Sequence, residues 1–307
     1  MDAAHDPVIK PYNRWFEHRI AAPLLLFITA LLFYYNAIPG EYVLDDGLVL
    51  DKNEYVKHGL DGIPDILTRD SFHGSIGNAA NLNGGRYRPL SLVTFAVEYE
   101  LYGLQPAYSR IINILLYGLT GVLIYLFLLR FVFQHSTVSA FVAAFIFVIH
   151  PVHTEVVANI KSRDEILSLL LLLGTLFWLL AAVQGGFGLG RYLVALLHFV
   201  FALLAKENGL AFVAIIPLTL FVFTRRSLVQ IFNYTLPFVL IVAGYVVLRI
   251  SLIGFESGTV TELMDNPYLL ASTDEKYATI AVVFLHYLRL LFFPHPLTYD
   301  YSYNQIP

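Results

Sequence analysis

The feature that most constrains this chain is a series of eight long apolar runs separated by polar segments. A helix needs about 20 apolar residues to cross the hydrocarbon core of a bilayer. The runs cover residues 20–38, 111–133, 138–149, 166–183, 192–205, 209–224, 231–250 and 277–293. The chain is 57% hydrophobic, whereas soluble domains contain roughly 45–50% apolar residues. We therefore predict an all-α polytopic membrane protein with seven or eight spans, the last run either crossing the membrane or lying along its surface.

The ends of the chain predict a simple domain organisation. Residues 1–19 are interpreted as a cytoplasmic N-terminal segment, and residues 20–307 as one transmembrane domain. The first run is longer than the apolar core of a signal peptide, and no small-residue cleavage site follows it, so we expect an uncleaved anchor. Because the chain stops without a polar tail after Pro307, we expect it to be truncated at its C-terminus.

Basic residues predict the orientation, because Lys and Arg accumulate on the cytoplasmic side of membrane proteins. Alternate connections carry arginine: Arg14 with Arg19, Arg130, Arg191, and Arg225 with Arg226. With these in the cytoplasm, four unusual polar stretches share the opposite face: residues 39–106, 150–163, 206–208 and 251–275. Their convergence on one face predicts a functional site there.

The first extracytoplasmic loop, residues 39–106, is too long for a simple connection, which is typical of a functional loop. We predict short helices within it near residues 63–67 and 91–102. In the second of these, apolar residues recur at helical spacing, which favours an amphipathic helix at the membrane interface.

Asp45 and Asp46 follow the first run and a Pro39-Gly40 turn. Adjacent aspartates often cap helices or occupy turns, and that interpretation stays open. Next to an apolar membrane, however, desolvation raises the pKa of a carboxyl group and makes it a better general base. Asp45 and Asp46 are therefore the candidate catalytic residues.

Two further polar pairs are candidates for substrate binding. Arg86 and Arg88 lie in the first loop, and an arginine fork matches phosphate oxygens, although it could equally meet lipid headgroups. Lys206 and Glu207 interrupt two apolar runs. Because charges inside a bilayer are costly, we interpret the pair as a surface turn whose Lys206 reaches a polar cavity; simple snorkelling is the alternative.

The densest polar cluster contains His150, His153 and Glu155, with Lys161 and Arg163 downstream. Its spacing matches no zinc signature, so we predict no metal site and favour hydrogen bonds to a phosphate or sugar. Lys161 or Arg163 could neutralise a phosphate; the alternative is a solvated interfacial face. Asp164 is expected to cap the next helix.

Overall charge and cysteine content exclude other classes of partner. The net charge of −4 offers no basic field for nucleic acid, and the absence of cysteine excludes disulfides and thiolate metal sites. Membrane lipids are the expected surroundings.

Several short motifs, taken in order, carry a resemblance to a known family. They are Asp45-Asp46 after the first span, Tyr87-Arg88-Pro89-Leu90, Tyr102-Gly103-Leu104-Gln105-Pro106 with Asn113, His150-Pro151-Val152-His153-Thr154-Glu155 with Arg163, Ala205-Lys206-Glu207-Asn208-Gly209, and Pro296-Leu297-Thr298-Tyr299-Asp300-Tyr301-Ser302. Together they resemble the transmembrane and tetratricopeptide-repeat O-mannosyltransferases and their bacterial relatives, within the GT-C glycosyltransferase superfamily.

The resemblance implies more than the residues themselves do. It implies a GT-C-like helical bundle and inverting transfer of a sugar, usually mannose, from a polyprenyl-phosphate donor to Ser or Thr hydroxyls of an acceptor protein on the extracytoplasmic face. It implies Asp45 as the general base. The leaving phosphate would meet some of the basic candidates, and no cofactor would be required, although a divalent metal would be compatible. The membrane would be a bacterial inner membrane, or the endoplasmic reticulum in a eukaryote. The family's repeats are absent from this chain.

Two other functions remain as alternatives. A transporter or flippase of polar or lipid-linked solutes would place charges along its spans and often shows inverted repeats, whereas here the ionisable residues gather on one face. A non-catalytic membrane scaffold is the second alternative.

Overall fold

A computed structural model describes residues 20–43, 45–77, 85–134, 136–184, 186–254 and 268–298. Within these ranges the chain is helical and contains no strand, which confirms the all-α prediction. The predicted segment 1–19, part of the polar loop 251–275, and Tyr299–Ser302 of the last motif lie outside the described residues.

Eight long helices correspond to the eight apolar runs, each overlapping the run that predicted it. They are α1 Ala21–Tyr34, α7 Pro106–Phe127, α8 Thr137–Ile149, α10 Arg163–Val183, α11 Leu189–Ala205, α12 Phe212–Phe223, α13 Leu228–Ile253 and α14 Thr273–Phe292. The first polar loop contains shorter helices: α2 Asp46–Val49, α3 Glu54–Lys57, α4 Ile63–Thr68, α5 His73–Ile76 and α6 Pro89–Tyr102. Helix α9, Thr154–Ala158, follows α8.

Length and composition identify a membrane protein. Among the described residues, three helical segments are long and apolar enough to cross a bilayer: Pro106–Val132, Ile160–Val183 and Leu228–Ile253. Helix α8 and the segment Pro151–Ala158 would together make a fourth span, bent by 48°. Ala21–Ala37, Leu189–Ala205 and Glu207–Phe223 are apolar but shorter. The total of seven or eight spans stays a prediction.

The bend after α8 has a local cause, and it confirms the predicted break at His150-Pro151. Proline disfavours helical geometry in the residue before it and lacks an N–H donor. His150 is accordingly extended (φ −68°, ψ 123°), and its Nδ1 accepts a hydrogen bond from the Val152 N–H at 3.2 Å. The chain therefore leaves α8 in a new direction.

Helix α10 is the most buried helix of the bundle, because it packs against both α11 and α7. Its contact with α11 is lined with small side chains, which let helix backbones approach closely. Ala181 and Ala182 of α10 are buried there, with Ala195 and Ala202 of α11. Helix α1 packs against α7 and α8 in a second cluster.

The first loop folds into a helical layer over one end of this bundle. Helices lie at both predicted positions, as α4 and α6. Apolar residues from the short helices and α6 form a third cluster with Ile160, which precedes α10. The Asn53 side chain is buried in this layer and donates hydrogen bonds to the carbonyls of Leu48 (3.2 Å) and Ser71 (3.1 Å). The layer therefore rests on the amino end of α10.

A fully buried arginine joins the layer to the bundle. Arg163, the first residue of α10, donates from Nε to Asn113 Oδ1 of α7 (2.7 Å) and from Nη2 to the Ser109 carbonyl (2.9 Å). Its Nη1 donates to Thr94 Oγ1 of α6 (3.1 Å), and both terminal nitrogens contact the carboxylate of Glu98. These contacts occupy the guanidinium donors, so α6, α7 and α10 are fixed to one another at this point.

This ion pair predicts a large loss of stability when only one partner is removed. Arg163→Met should destabilise the protein by about 3–5 kcal/mol, because it leaves the Glu98 carboxylate buried and unpaired. Thermal unfolding of the detergent-solubilised chain measures the effect.

Two further variants separate this effect from simple loss of contacts. The double variant Arg163→Met/Glu98→Gln should recover part of the lost stability, because no buried charge then remains unpaired. Arg69→Met, which breaks an exposed pair with Asp65, should change stability by less than about 1 kcal/mol. A double variant no more stable than Arg163→Met would contradict this account.

Candidate functional site

Three of the predicted polar stretches meet at the amino end of α10. A 3₁₀ turn, Ile160–Ser162, leads into the helix. The Asp45-Asp46 turn contacts Lys161 in this 3₁₀ turn. Arg88 and Lys206, from segments distant in sequence, contact Asp164 in the first turn of α10. Residues 161–165 therefore lie at the centre of the candidate site.

Asp45 is the accessible acid of the aspartate pair. It occupies the position just before α2, and 53% of its side chain is exposed. Its Oδ2 lies 3.4 Å from Lys161 Nζ, which is itself partly exposed. An exposed carboxylate beside an ammonium group is able to bind a polar ligand and accept a proton from it.

Asp46 is fully buried and has a different role. Its Oδ1 accepts the Lys161 N–H at 2.8 Å, and its Oδ2 accepts the Val43 N–H at 3.1 Å. Burial raises the pKa of the Asp46 carboxyl, and the two N–H donors oppose part of that shift. Asp46 therefore fastens its own turn to the turn before α10, and holds Asp45 beside Lys161.

Arg110 holds the same turn from the other side, and the sequence reasoning missed it. It is buried near the start of α7, and its guanidinium donates to the carbonyls of Gly40, Glu41 and Ala158, the last at 3.1 Å. An arginine at the start of an apolar helix is costly unless paired, and that cost was the available signal. The Asp45 turn is therefore fixed at two ends.

Arg88 lies at the start of α6 and forms the second part of the site. Its Nε donates to Glu207 Oε2 (2.8 Å), a second bond joins Nη2 to Glu207 Oε1, and Nη1 donates to Asp164 Oδ2 (2.7 Å). The structure thus brings together Arg88 and Glu207, two predicted binding residues that lie 119 positions apart.

Lys206 extends this arrangement. Its Nζ contacts the carboxylate of Glu165 and lies 3.7 Å from Asp164 Oδ1. We name the five residues the ion cluster: Arg88, Asp164, Glu165, Lys206 and Glu207. Asp164 Oδ1 is buried without a hydrogen-bond donor among the described residues. With three carboxylates and two cations, the cluster fixes the geometry of its arginine and lysine.

Asp164 and Glu165 were not predicted as site residues. The expectation that Asp164 caps α10 is wrong, because the helix begins at Arg163 and Ser162 occupies the cap position. Both acids instead lie in the first turn, where negative charge interacts favourably with the helix dipole, and both pair with basic residues of the ion cluster. Their position just before an apolar run indicated that they lie at the membrane surface, but it did not reveal which basic residues they contact.

Helix α13 fixes the backbone before α6. The Tyr245 hydroxyl donates to the Tyr87 carbonyl (3.2 Å), and Arg249 Nη2 donates to the Gly85 carbonyl (2.9 Å). Arg86 lies between these anchors; its side chain is exposed and its guanidinium lies 4.8 Å from the ring centre of Phe72. Arg88 is thus held in place, while Arg86 faces outwards.

The predicted histidines lie at the bend after α8, and each forms hydrogen bonds with other residues of the protein. His153 Nδ1 lies 3.0 Å from both Tyr117 Oη and the Phe147 carbonyl. His150 Nε2 lies 3.1 Å from the Leu291 carbonyl of α14. Glu155 is exposed. No described contact joins these three residues to Asp45 or to the ion cluster, and the described ranges contain no group of three His, Asp or Glu able to hold a metal.

The structure thus sorts the predicted site residues by position. Those brought to the amino end of α10 are Asp45, Asp46, Arg88, Lys206 and Glu207. Arg163 lies in the same turn but points into the protein and is fully buried. Lys161, whose ammonium group contacts Asp45 at 3.4 Å and no other acid among the described residues, is the more accessible cation.

Comparison with known proteins agrees with the sequence motifs. The chain is 29% identical over 283 residues to Protein O-mannosyl-transferase F38B6.6 of Caenorhabditis elegans, covering 91% of this chain. It is 36% identical over 152 residues, 50% of this chain, to Protein O-mannosyl-transferase TMTC1 of Homo sapiens. It is 25% identical over 306 residues, 93% of this chain, to human Protein O-mannosyl-transferase TMTC2. No family model matches the chain, and no solved structure does.

The chain is much shorter than these relatives. It spans 39% of the worm protein, 17% of human TMTC1 and 36% of human TMTC2. The matched part nevertheless contains both the aspartate turn and the ion cluster, because two of the alignments extend over nine-tenths of this chain. Over most of its own length, the chain therefore resembles the TMTC group of protein O-mannosyl-transferases.

Proposed function

We propose that this chain is the membrane part of a GT-C-type glycosyltransferase that moves a sugar, mannose by similarity, from a polyprenyl-phosphate donor to Ser or Thr hydroxyls of an acceptor protein. The similarity to proteins named O-mannosyl-transferases supports the reaction class. One structural observation carries the residue assignment: Asp45 is an exposed carboxylate on a turn that Asp46 and Arg110 hold beside Lys161.

In the proposed reaction Asp45 acts as the general base. It takes the proton from the acceptor hydroxyl as the oxygen attacks the anomeric carbon of the donor sugar. The bond between that carbon and the phosphate oxygen breaks, so the configuration inverts and the polyprenyl phosphate leaves as an anion. Its negative charge needs neutralisation in the transition state, which positioned cations provide in many enzymes.

Lys161 is our candidate for meeting this charge. Its ammonium group lies next to Asp45, at the amino end of α10, where the helix dipole also favours an anion. Arg88 and Lys206 contact acids in the first turn of α10, but their charges are already shared with the carboxylates of the ion cluster. We assign these two a weaker electrostatic contribution and a positioning role.

The remaining predicted residues take different parts in this proposal. Arg163 has a structural role: its guanidinium donors all bond to residues of α6 and α7, so it holds these helices against α10 and has no donor left for a ligand. Arg86 and Glu155 are exposed and remain candidates for contacts with the donor or acceptor. His150 and His153 shape the bend after α8. No step of the reaction requires a metal, since the phosphate is already a charged leaving group.

The proposed site faces the extracytoplasmic side of the membrane. Arg130, Arg191 and Arg226 lie at the other ends of the long helices, and basic residues accumulate on the cytoplasmic side. A lumenal or periplasmic site would give the enzyme access to secreted or membrane proteins as acceptors.

Replacing Asp45 should abolish most sugar transfer without unfolding the protein. Asp45→Asn keeps the size of the side chain and removes the base, which contributes about 10²–10⁴-fold to rate in general base catalysis. The measurement is transfer of radiolabelled mannose from polyprenyl-phosphate mannose to a Ser/Thr-containing peptide by the reconstituted chain.

The matched control for this experiment is Asp61→Asn, an exposed acid in the same loop, which should keep the parental rate. A parental rate in Asp45→Asn would overturn the assignment of the base. If the unaltered chain transfers no sugar but translocates the lipid-linked sugar between leaflets, the proposed reaction is wrong and a flippase is the better account.

Replacing Lys161 tests whether its ammonium group stabilises the leaving phosphate, without disturbing the fold of the site. The Asp46 carboxylate is held by the main-chain N–H of Lys161, not by its side chain, so Lys161→Met should leave the turn intact. We expect kcat/KM for the lipid-linked donor to fall about 10²–10³-fold, as when one transition-state donor is removed from an enzyme.

Lys57→Met, which removes a half-buried lysine paired with the exposed Glu54, should leave kcat/KM unchanged. If Lys161→Met also left it unchanged while Arg88→Met or Lys206→Met lowered it, the phosphate would belong beside the ion cluster.

A further inference from the structure

A second polar feature lies at the end of the bundle opposite Asp45. Helix α10 runs for 21 residues from Arg163 to Val183, a length of about 30 Å at 1.5 Å per residue. At its far end, a cavity of about 390 Å³ opens between the C-terminal ends of α10 and α12 and the first turn of α13. The proposed transfer reaction makes no use of this cavity.

The lining of the cavity is basic and partly preorganised. Arg226 donates from Nη2 to the Val183 carbonyl at 2.6 Å, which fixes its side chain across the end of α10. Gln184 donates to the Phe223 carbonyl at 3.3 Å, which ties α10 to α12. Arg225, by contrast, is exposed and has no hydrogen bond or ion pair with a described residue. The lining therefore offers one arginine whose donors are open to a ligand.

Charge around the cavity favours an anion. Arg225 and Arg226 are its two charged lining residues, and neither has a carboxylate partner among the described residues. Helix α13 begins beside them with a capping box formed by Ser227 and Gln230, and the start of a helix carries partial positive charge. A phosphate group matches the fork of an arginine guanidinium.

The surroundings of the cavity distinguish a lipid from a free phosphate. Large apolar side chains near the cavity are exposed on the last turns of α12 and the first turns of α13: Leu218, Phe221, Val222, Leu228, Val229 and Phe232. In a membrane these faces contact acyl chains. A lipid that placed its phosphate at Arg225 and its acyl chains along α12 and α13 would contact both the basic lining and the apolar faces. Inorganic phosphate would contact only the basic lining.

We propose that this cavity binds the phosphate of an anionic phospholipid, with the acyl chains lying along α12 and α13. Basic pockets between membrane helices at the cytoplasmic surface are suited to such headgroups. This proposal rests on the cavity alone and stands apart from the proposed transfer reaction. Arg225 is the ligand-binding residue, and Arg226 both binds and closes the end of α10.

Native mass spectrometry of the full chain released from nanodiscs tests the proposal. Nanodiscs would contain phosphatidylglycerol and phosphatidylcholine in equal amounts, and retained lipids would be counted. We expect phosphatidylglycerol to be retained preferentially. Arg225→Gln, which breaks no described contact, should lower that preference about fivefold, the effect of one basic residue near an anionic membrane surface. Arg225→Gln/Arg226→Gln should abolish it.

Arg130→Gln is the matched control, because Arg130 is exposed at the same end of the bundle but lies outside the cavity; it should keep the preference. If Arg130→Gln and Arg225→Gln reduced the preference for phosphatidylglycerol equally, the effect would come from surface charge in general, and the proposed site would be wrong. Binding of millimolar inorganic phosphate to the detergent-solubilised chain, with no preference for phosphatidylglycerol in nanodiscs, would overturn the lipid assignment.

Discussion

The geometry of the site depends on the burial of the Arg163 guanidinium at the amino end of α10. A buried charge is tolerated only when its donors are paired, and here Glu98, Asn113, Thr94 and Ser109 provide the partners. Because those partners lie on α6 and α7, the same contacts fix three helices at one point. The residues on either side of Arg163 then reach the polar segments that surround this point.

The two adjacent aspartates show how one turn supports both structure and chemistry. Asp46 points inwards, where two backbone N–H groups donate hydrogen bonds to its carboxylate oxygens. Asp45 points outwards beside an ammonium group. The buried acid costs desolvation, which its raised pKa reflects. In return, the exposed acid is held in a fixed position, which a general base requires.

Much of the fold was predictable, because each of the eight long helices follows from a local apolar run, and Pro151 sets the bend after α8. The motifs also predicted that Arg88 and Glu207 belong to one site. The direction of each charged side chain was not predictable. Arg163 and Lys161 lie two residues apart in a polar stretch. Arg163 is turned inwards by contacts with partners on α6 and α7 that lie 50 to 69 positions away in the sequence. The partners of Arg110 and Asp164 are equally remote in sequence.

A structure of the full chain with a polyprenyl-phosphate-linked sugar bound would test the central claim most directly. The account predicts the phosphate at the amino end of α10, within hydrogen-bond distance of Lys161 Nζ, and the anomeric carbon on the side of Asp45 that faces the acceptor. A donor whose phosphate lies away from residues 161–165, with Asp45 remote from the sugar, would contradict it.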